Sequence, residues 1–295
     1  MTNIARKNIA AVPVELTARG ITDALPEHLH RRENFALTYK EQTESTNSDA
    51  ARLLERGVMP DGGPLPPFFA VVAGRQSKGR GTSGRSFYSP SGSGLYMSLV
   101  WRSRRPASSL PPVTPAAAVA VRFAIGYVLG LRAGIKWVND IILGGKKVCG
   151  ILTECSGASG SADVIIGIGI NLTPPKGGFP SELGESAGYL SSHMDSAVAE
   201  ELAASVIAEL CALLESEEPG EIMSRYRDGC ISIGGRVRLC RDGGEGEYTV
   251  LGIGDGGELC VESPQGERLS VISAAEVYRP AEKEILGKNI DKSTN

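Results

Sequence analysis

Two apolar runs, residues 68–73 and 95–101, read as buried strands, and the segment joining them constrains the fold most. Residues 74–88 run Gly-Arg-Gln-Ser-Lys-Gly-Arg-Gly-Thr-Ser-Gly-Arg-Ser-Phe-Tyr, too polar and too rich in glycine for strand or helix. Gly79, Gly81 and Gly84 let the backbone turn its amides toward one point. Lys78, Arg80 and Arg85 place cations around that point, an arrangement suited to a phosphate or carboxylate. A solvated connection is the alternative. Gln76, Phe87 and the flanking strands make a denser pattern than a linker needs. No Gly-Lys-Ser/Thr triplet closes the loop, so it is not a P-loop.

On either side, strand and helix patterns are legible. Phe35, Leu37 and Tyr39 alternate with Ala36, Thr38 and Lys40, which predicts a strand. Next, Glu44-Ser45-Thr46-Asn47-Ser48-Asp49 precedes an apolar stripe ending at Gly57. It predicts a helix beginning near Thr46, with Asp49 in a capping box and Gly57 as the stop. Ser45, Thr46 and Asn47 either cap that helix or face a ligand with its free amides. Residues 113–131 are alanine-rich and interrupted only by Arg122, which predicts a buried helix. Short strands are expected over 135–138, 141–143, 148–153 and 164–170, then a Pro/Gly loop over 172–192. Val198, Leu202, Val206 and Leu210 predict a helix over 196–214, and 221–228 a shorter one. From Cys230 the texture changes to short strands at 236–240, 248–253, 259–262 and 269–272 between glycine-rich turns, a small antiparallel β-barrel.

With 295 residues, 41% of them hydrophobic, the chain can form one large domain plus a small one. A net charge of −3 gives no general attraction for nucleic acid. The 6 cysteines lack a Cys-x-x-Cys pair and a neighbouring histidine, which argues against a zinc site or a disulfide framework. With no leader-like or membrane-spanning run, a soluble cytoplasmic protein is expected. Histidines stand only at 28, 30 and 193, so Ser-His-Asp or Cys-His chemistry has little to draw on. The chemistry must rest on Arg, Lys, backbone amides and Asp, which fits nucleotidyl transfer.

Three further stretches carry polar groups on strands. Lys136-Trp137-Val138-Asn139-Asp140 delivers Lys, Asn and Asp together, to hold a metal-bound phosphate or merely to form a surface turn. Lys147 leads into a strand in which Gly150 permits close approach, while Lys146 is expected in solvent. Gly167-Ile168-Gly169-Ile170-Asn171 clears one strand face, either for a flat ligand or for tight packing.

In this order the motifs resemble the catalytic domain of the biotin–protein ligases. That family carries a Ser-Thr-Asn helix start, a Gly-Arg-Gly-x-x-Gly-Arg loop, and Lys-Trp-Pro-Asn-Asp, Lys-x-x-Gly-Ile-Leu and Gly-x-Gly-Ile-Asn strands. They stand here at 45–47, 79–85, 136–140, 147–152 and 167–171. The resemblance implies an α+β fold: a mixed β-sheet with helices packed on it, like class II aminoacyl-tRNA synthetases, plus a small C-terminal SH3-like β-barrel. It divides the chain into an extension (1–33), a catalytic domain (34–229), the barrel (230–281) and a flexible tail (282–295). It implies that Ser45, Thr46, Asn47, Gln76, Gly79, Arg80, Lys147 and Gly150 hold biotin. Gly81, Gly84, Arg85, Phe87, Lys136, Asn139, Asp140 and Asn171 would hold ATP or the adenylate, Asp140 also Mg²⁺, and Arg279 would reach the nucleotide. Arg80, Lys147, Lys136 and Asp140 would be catalytic.

The sequence also departs from the family. Val138 replaces the usual Pro, Thr82 stands where some members have a further Arg, and Phe87 stands where a Trp is common. The segment before the catalytic motifs is too short for a winged helix-turn-helix, so a ligase without direct DNA binding is expected. The implied activity is formation of biotinoyl-5′-AMP from biotin and ATP, followed by transfer to a lysine of a biotin-carboxyl-carrier domain such as that of acetyl-CoA carboxylase. A sheet edge would dock the carrier or a second copy in a homodimer. The rival readings are a lipoate/octanoate–protein ligase and a non-catalytic biotin-binding regulator.

Overall fold

Alternation along the strands decides which face of the sheet each residue serves. The computed structural model describes residues 13–157, 160–215, 218–241, 244–272 and 277–278. Residues 1–12, Arg279 and the expected tail lie outside the described residues. Strands β1 (Phe35–Lys40), β2 (Phe68–Ala73), β3 (Gly94–Ser103), β4 (Gly134–Lys136), β5 (Asp140–Leu143), β6 (Lys146–Ser156) and β7 (Ala162–Asn171) form one sheet in the order β1-β2-β3-β7-β6-β5-β4. Only β1 and β2 run parallel; the other pairings are antiparallel.

On one face Phe68, Val72, Leu95, Leu99, Val164, Ile166 and Ile168 join the main core. Helices α3 (Val113–Leu129), α4 (Ser196–Glu215) and α5 (Pro219–Gly229) cover it. Alanines 116, 117, 118, 120 and 124 of α3 and 199, 203 and 204 of α4 are buried, and their small side chains bring these two helices close. On the opposite face Phe69, Val71, Val100 and Ile165 pack against Ala50 and Leu53 of α2 (Thr46–Arg56). That helix covers the part of this face formed by β2, β3 and the Ile165 end of β7, and the rest holds the site.

The N-terminal stretch is part of the main core: Val14, Leu16, Ile21, Leu25 and Leu29 are buried there. Helix α1 (Ala18–Asp23) starts at Thr17, which donates to the Glu200 carboxylate of α4 from both N (2.9 Å) and Oγ1 (2.7 Å). The capping box expected on α2 does not form. Ser45, not Thr46, is the N-cap and makes no side-chain cap bond, which leaves the Asp49 carboxylate one residue past the box position. It accepts from Thr43 Oγ1 at 2.6 Å and pairs with Lys40 at 3.0 Å and with Arg52. Gly57 stops the helix as expected, in the left-handed conformation at φ 73°. The expected 172–192 loop contains a short 3₁₀ segment, Ser181–Ser186.

Strands β8 (Arg236–Arg241), β9 (Gly244–Ile253), β10 (Leu259–Glu262), β11 (Arg268–Val271) and β12 (Val277–Tyr278) make a five-stranded antiparallel sheet, the small SH3-like unit expected at this end. It backs the strand that carries Lys136. Trp137 Nε1 donates to Gly257 O at 2.9 Å, Trp137 N to Ser232 Oγ at 3.0 Å, and Ile231 N to Ile135 O at 2.9 Å. Tyr226 of α5 donates to Val138 O at 3.0 Å. The Trp137–Val138 peptide bond is cis.

Candidate active site

A row of facing residues crosses the open side of the sheet: Tyr96 on β3, Gly169 on β7, Gly150 on β6, Asp140 on β5 and Lys136 on β4. The glycines make the middle of this row a backbone floor. Phe87 lies on it: a Cβ at Gly169 would come 2.5 Å from Phe87 Cε1, and one at Gly150 3.2 Å from Cε2. The ring also meets Tyr96 edge-on, with centroids 6.5 Å apart. One row further on, Gly167 faces Ser98, and the space a Cβ would fill there is taken by Asn47 Oδ1, 2.3 Å away. Phe87 and Asn47 pack against these glycines, and both Gly167 and Gly169 also line the cleft described below.

Residues 74–94 fold back over this floor. Gly81 N donates to Arg85 O at 2.7 Å and Phe87 N to Gly79 O at 2.8 Å, with Gly84 at φ 72° in the turn. The loop is clasped from both ends. Gln76 Oε1 accepts from Thr46 N (2.9 Å) and Thr46 Oγ1 (3.1 Å), while Gln76 Nε2 donates to Ser89 Oγ (2.9 Å). Arg80 makes a two-pronged pair with Glu154, NH2 to Oε1 at 2.8 Å and NH1 to Oε2 at 3.3 Å. Arg85 folds onto its own turn, donating to Thr82 O and Oγ1.

Between loop and floor lies a cleft of about 220 Å³. Thr46, Asn47, Gln76, Arg80, Gly81, Arg85, Phe87, Lys136, Asn139, Asp140, Lys147 and Gly150 line it, together with Leu183 and Ser186 of the 3₁₀ segment. Lys147 Nζ sits 2.7 Å from Asp140 Oδ1. Asn139 Nδ2 is held by Ile151 O at 2.6 Å. Beside the cleft, burial pushes the Tyr96 and Tyr226 hydroxyls and the Cys149 thiol up, so none of them supplies a ready anion. Among the described residues no group of three His, Cys, Asp or Glu could hold a metal ion. The cleft thus gathers Arg80, Arg85, Lys136 and Lys147 beside the start of α2 and a set of hydrogen-bonding side chains, with Arg80 and Lys147 each paired to a carboxylate.

A family model described as the biotin/lipoate A/B protein ligase family matches residues 63–171, the span that includes the loop and the floor. A bifunctional ligase/repressor, BirA, of Bacillus subtilis is 33% identical over 262 residues, 83% of this chain and 72% of that one. A biotin–[acetyl-CoA-carboxylase] ligase of Paracoccus denitrificans is 31% identical over 246 residues, 80% of this chain and 98% of that one. The chain belongs to the biotin protein ligase family. Among solved structures, the biotin protein ligase from Aquifex aeolicus in complex with biotin and ATP shares the fold, with a TM-score of 0.65 and 24% identity over 83% of this chain and 99% of that one.

Most of the ligase motifs thus converge on one cleft, but not all of the residues named from sequence reach it. Ser45 caps α2 outside the lining. Gly79 lies against the carbonyl of Phe87, where its missing Cβ permits close approach, and lines a neighbouring concavity. Asn171 also stands outside the lining; its Nδ2 donates to Gly188 O at 2.8 Å and anchors the 172–192 connection. Lys78, expected as a third cation at the anion point, pairs instead with Glu44 at 2.7 Å in solvent. Gly84 shapes the turn without lining the cleft. Sequence reasoning missed Glu154, which ties the ligase loop to the sheet through Arg80, and Ser98, which ties the start of α2 to it. Ser98 was hidden in an apolar strand. Glu154 had a signal in the strand period, since it lies four residues beyond Gly150 and so on the same face.

Proposed function

We propose that this chain is an ATP-dependent biotin–protein ligase, which activates biotin to biotinoyl-5′-AMP and transfers it to a lysine of a biotin-carboxyl-carrier domain. Its membership of the biotin protein ligase family supports this. The observation that carries it is the convergence of Arg80 and Lys147 on one cleft with Thr46, Asn47 and Gln76. In this reading the carboxylate of biotin attacks the α-phosphorus of ATP and pyrophosphate leaves. Both reactants are anions, and Arg80, Lys136 and Lys147 offset their repulsion and the charge built up at phosphorus. The adenylate is a mixed anhydride open to hydrolysis. The 74–94 loop, clasped at Gln76 and Arg80, shields it from water. The ε-amine of the carrier lysine, in its neutral form, then attacks the acyl carbon and AMP departs.

Mg²⁺ belongs to the same proposal as the ion that accompanies ATP. Asp140 is the carboxylate in the cleft lining, which suits an ion that keeps phosphate and water ligands rather than a protein cage. Such an ion supplies further neutralisation of the phosphates. For docking, residues 230–231 bond to β4 and cover that edge, so β1 is the sheet edge offered to a carrier strand or a second copy.

Incubation with ATP, Mg²⁺, biotin and a carrier domain, followed by intact-mass spectrometry, tests the proposal. The expected result is one added biotinoyl group, dependent on ATP and on the carrier lysine. A gain with lipoate or octanoate and none with biotin would overturn it, as would no gain with any acid.

A further inference from the structure

Glu154 is not in the cleft lining, yet its carboxylate holds two residues that are. Oε2 accepts from Asn47 Nδ2 at 2.8 Å, and both oxygens take the Arg80 fork. From Asn47 the bonding runs inward. Ser98 Oγ lies 2.5 Å from Asn47 Oδ1 and 2.7 Å from Thr46 Oγ1, and Ser98 is wholly buried.

The donor and acceptor inventory gives this chain a direction. An ionised carboxylate only accepts, so Asn47 turns its NH₂ to Glu154 and its carbonyl to Ser98. That carbonyl also only accepts, so the single Ser98 proton goes to Asn47. The Thr46 proton then goes to Ser98, or to Gln76 Oε1 at 3.1 Å. In either case it is committed to the protein.

We propose that Glu154 is a positioning residue that fixes which way the Asn47 amide is turned, and with it the single arrangement of the Glu154–Asn47–Ser98–Thr46 chain, so that Asn47 and Thr46 keep fixed places in the cleft. The proposal rests on the functional reading above, in which biotin is the ligand of that cleft. Glutamine at 154 would both donate and accept, so Asn47 could turn over and the chain would lose its single arrangement.

A double-mutant cycle with the full chain tests this, with biotin affinity read by isothermal titration for the unaltered protein, Glu154→Gln, Ser98→Ala and the double variant. Thermal melts confirm that each is folded at the titration temperature. Glu154→Gln is expected to weaken biotin about ten- to a hundred-fold, the scale of a hydrogen bond to a charged group. Ser98→Ala already interrupts the chain, so the double variant should fall well short of the product of the two single losses. If Glu154→Gln fails to fold, Glu154→Asp replaces it in the cycle, since its shorter side chain keeps the charge but draws the acceptor away from Asn47. Unaltered affinity in Glu154→Gln, or losses that simply multiply, would overturn the proposal alone. No biotin binding by the unaltered protein would overturn the functional reading and this proposal with it.

Discussion

Lys147 reaches across the β5–β6 irregularity to Asp140, with Nζ 2.7 Å from Oδ1, so a cation and a carboxylate of the same cleft neutralise each other. The Asp140 side chain is only 4% exposed, whereas that of Lys147 is 37% exposed. The lysine is therefore the partner free to move toward an incoming anion. Lys147→Met is expected to abolish adenylate formation in a biotin-dependent pyrophosphate exchange assay. It also removes one partner of a buried carboxylate, at a cost of about 1–2 kcal/mol after allowance for the exposed lysine. A variant that kept both its exchange rate and its melting temperature would contradict this role.

Gly169→Ala puts a methyl group where the Phe87 ring lies, with Phe87 Cε1 only 2.5 Å from the new carbon. Overpacking of this kind costs about 1–3 kcal/mol, and ATP binding should weaken with it. Phe87→Ala on the same background should recover much of the loss of stability, because the clash is with that ring. Chemical denaturation of the two single variants and the double variant measures the coupling. Additive losses would mean that the ring and the glycine do not meet.

Asp49 sets an acid limit on stability. Burial pushes its carboxyl up, but hydrogen bonds from Thr43, Lys40 and Arg52 outweigh this and hold it below the usual carboxylate range. A depressed folded-state pKa means that its contribution is complete above the unfolded value, about 3.9, and is lost as pH falls through the lower folded value. The unaltered protein should therefore lose stability on acidification below about pH 4 more steeply than Asp49→Asn. Urea midpoints collected from neutral pH to pH 3 read the difference, and parallel curves would remove Asp49 from the account.

The thiols should separate by accessibility. Cys155 is exposed, whereas Cys149 and Cys211 are buried and burial pushes both thiols up. A disulfide reagent should label Cys155 in the folded protein, and Cys149 and Cys211 only after denaturation. Peptide mapping after a short exposure distinguishes them, and early labelling of Cys149 would place it outside the core.

What could be read from the sequence followed from period and composition. The six-residue run Phe68–Ala73 is β2: it is short, rich in Phe and Val, and buried at every position. The four-residue stripe from Val198 to Leu210 lies on α4. Motif order brought Thr46, Gln76, Arg80, Lys136, Asp140 and Lys147 into one cleft. Partner choice was less visible. Asp49 stands at the capping-box spacing from Thr46, yet Ser45 is the N-cap, and Lys40 and Thr43, outside the helix, partner its carboxylate. Lys78 looked equivalent to Arg80, but their charges diverge to Glu44 and Glu154. Val14 and Leu16 looked like part of an extension because nothing local shows that a core awaits them.

The floor made by Gly150 and Gly169 has a consequence for how such a pocket can change. A floor of backbone cannot be retuned by swapping side chains, since every replacement adds atoms where Phe87 already lies. Drift or engineering of ligand preference is thereby channelled into the walls. There, Arg85, Leu183 and Ser186 can be exchanged without disturbing the hydrogen bonds that hold the strands in register.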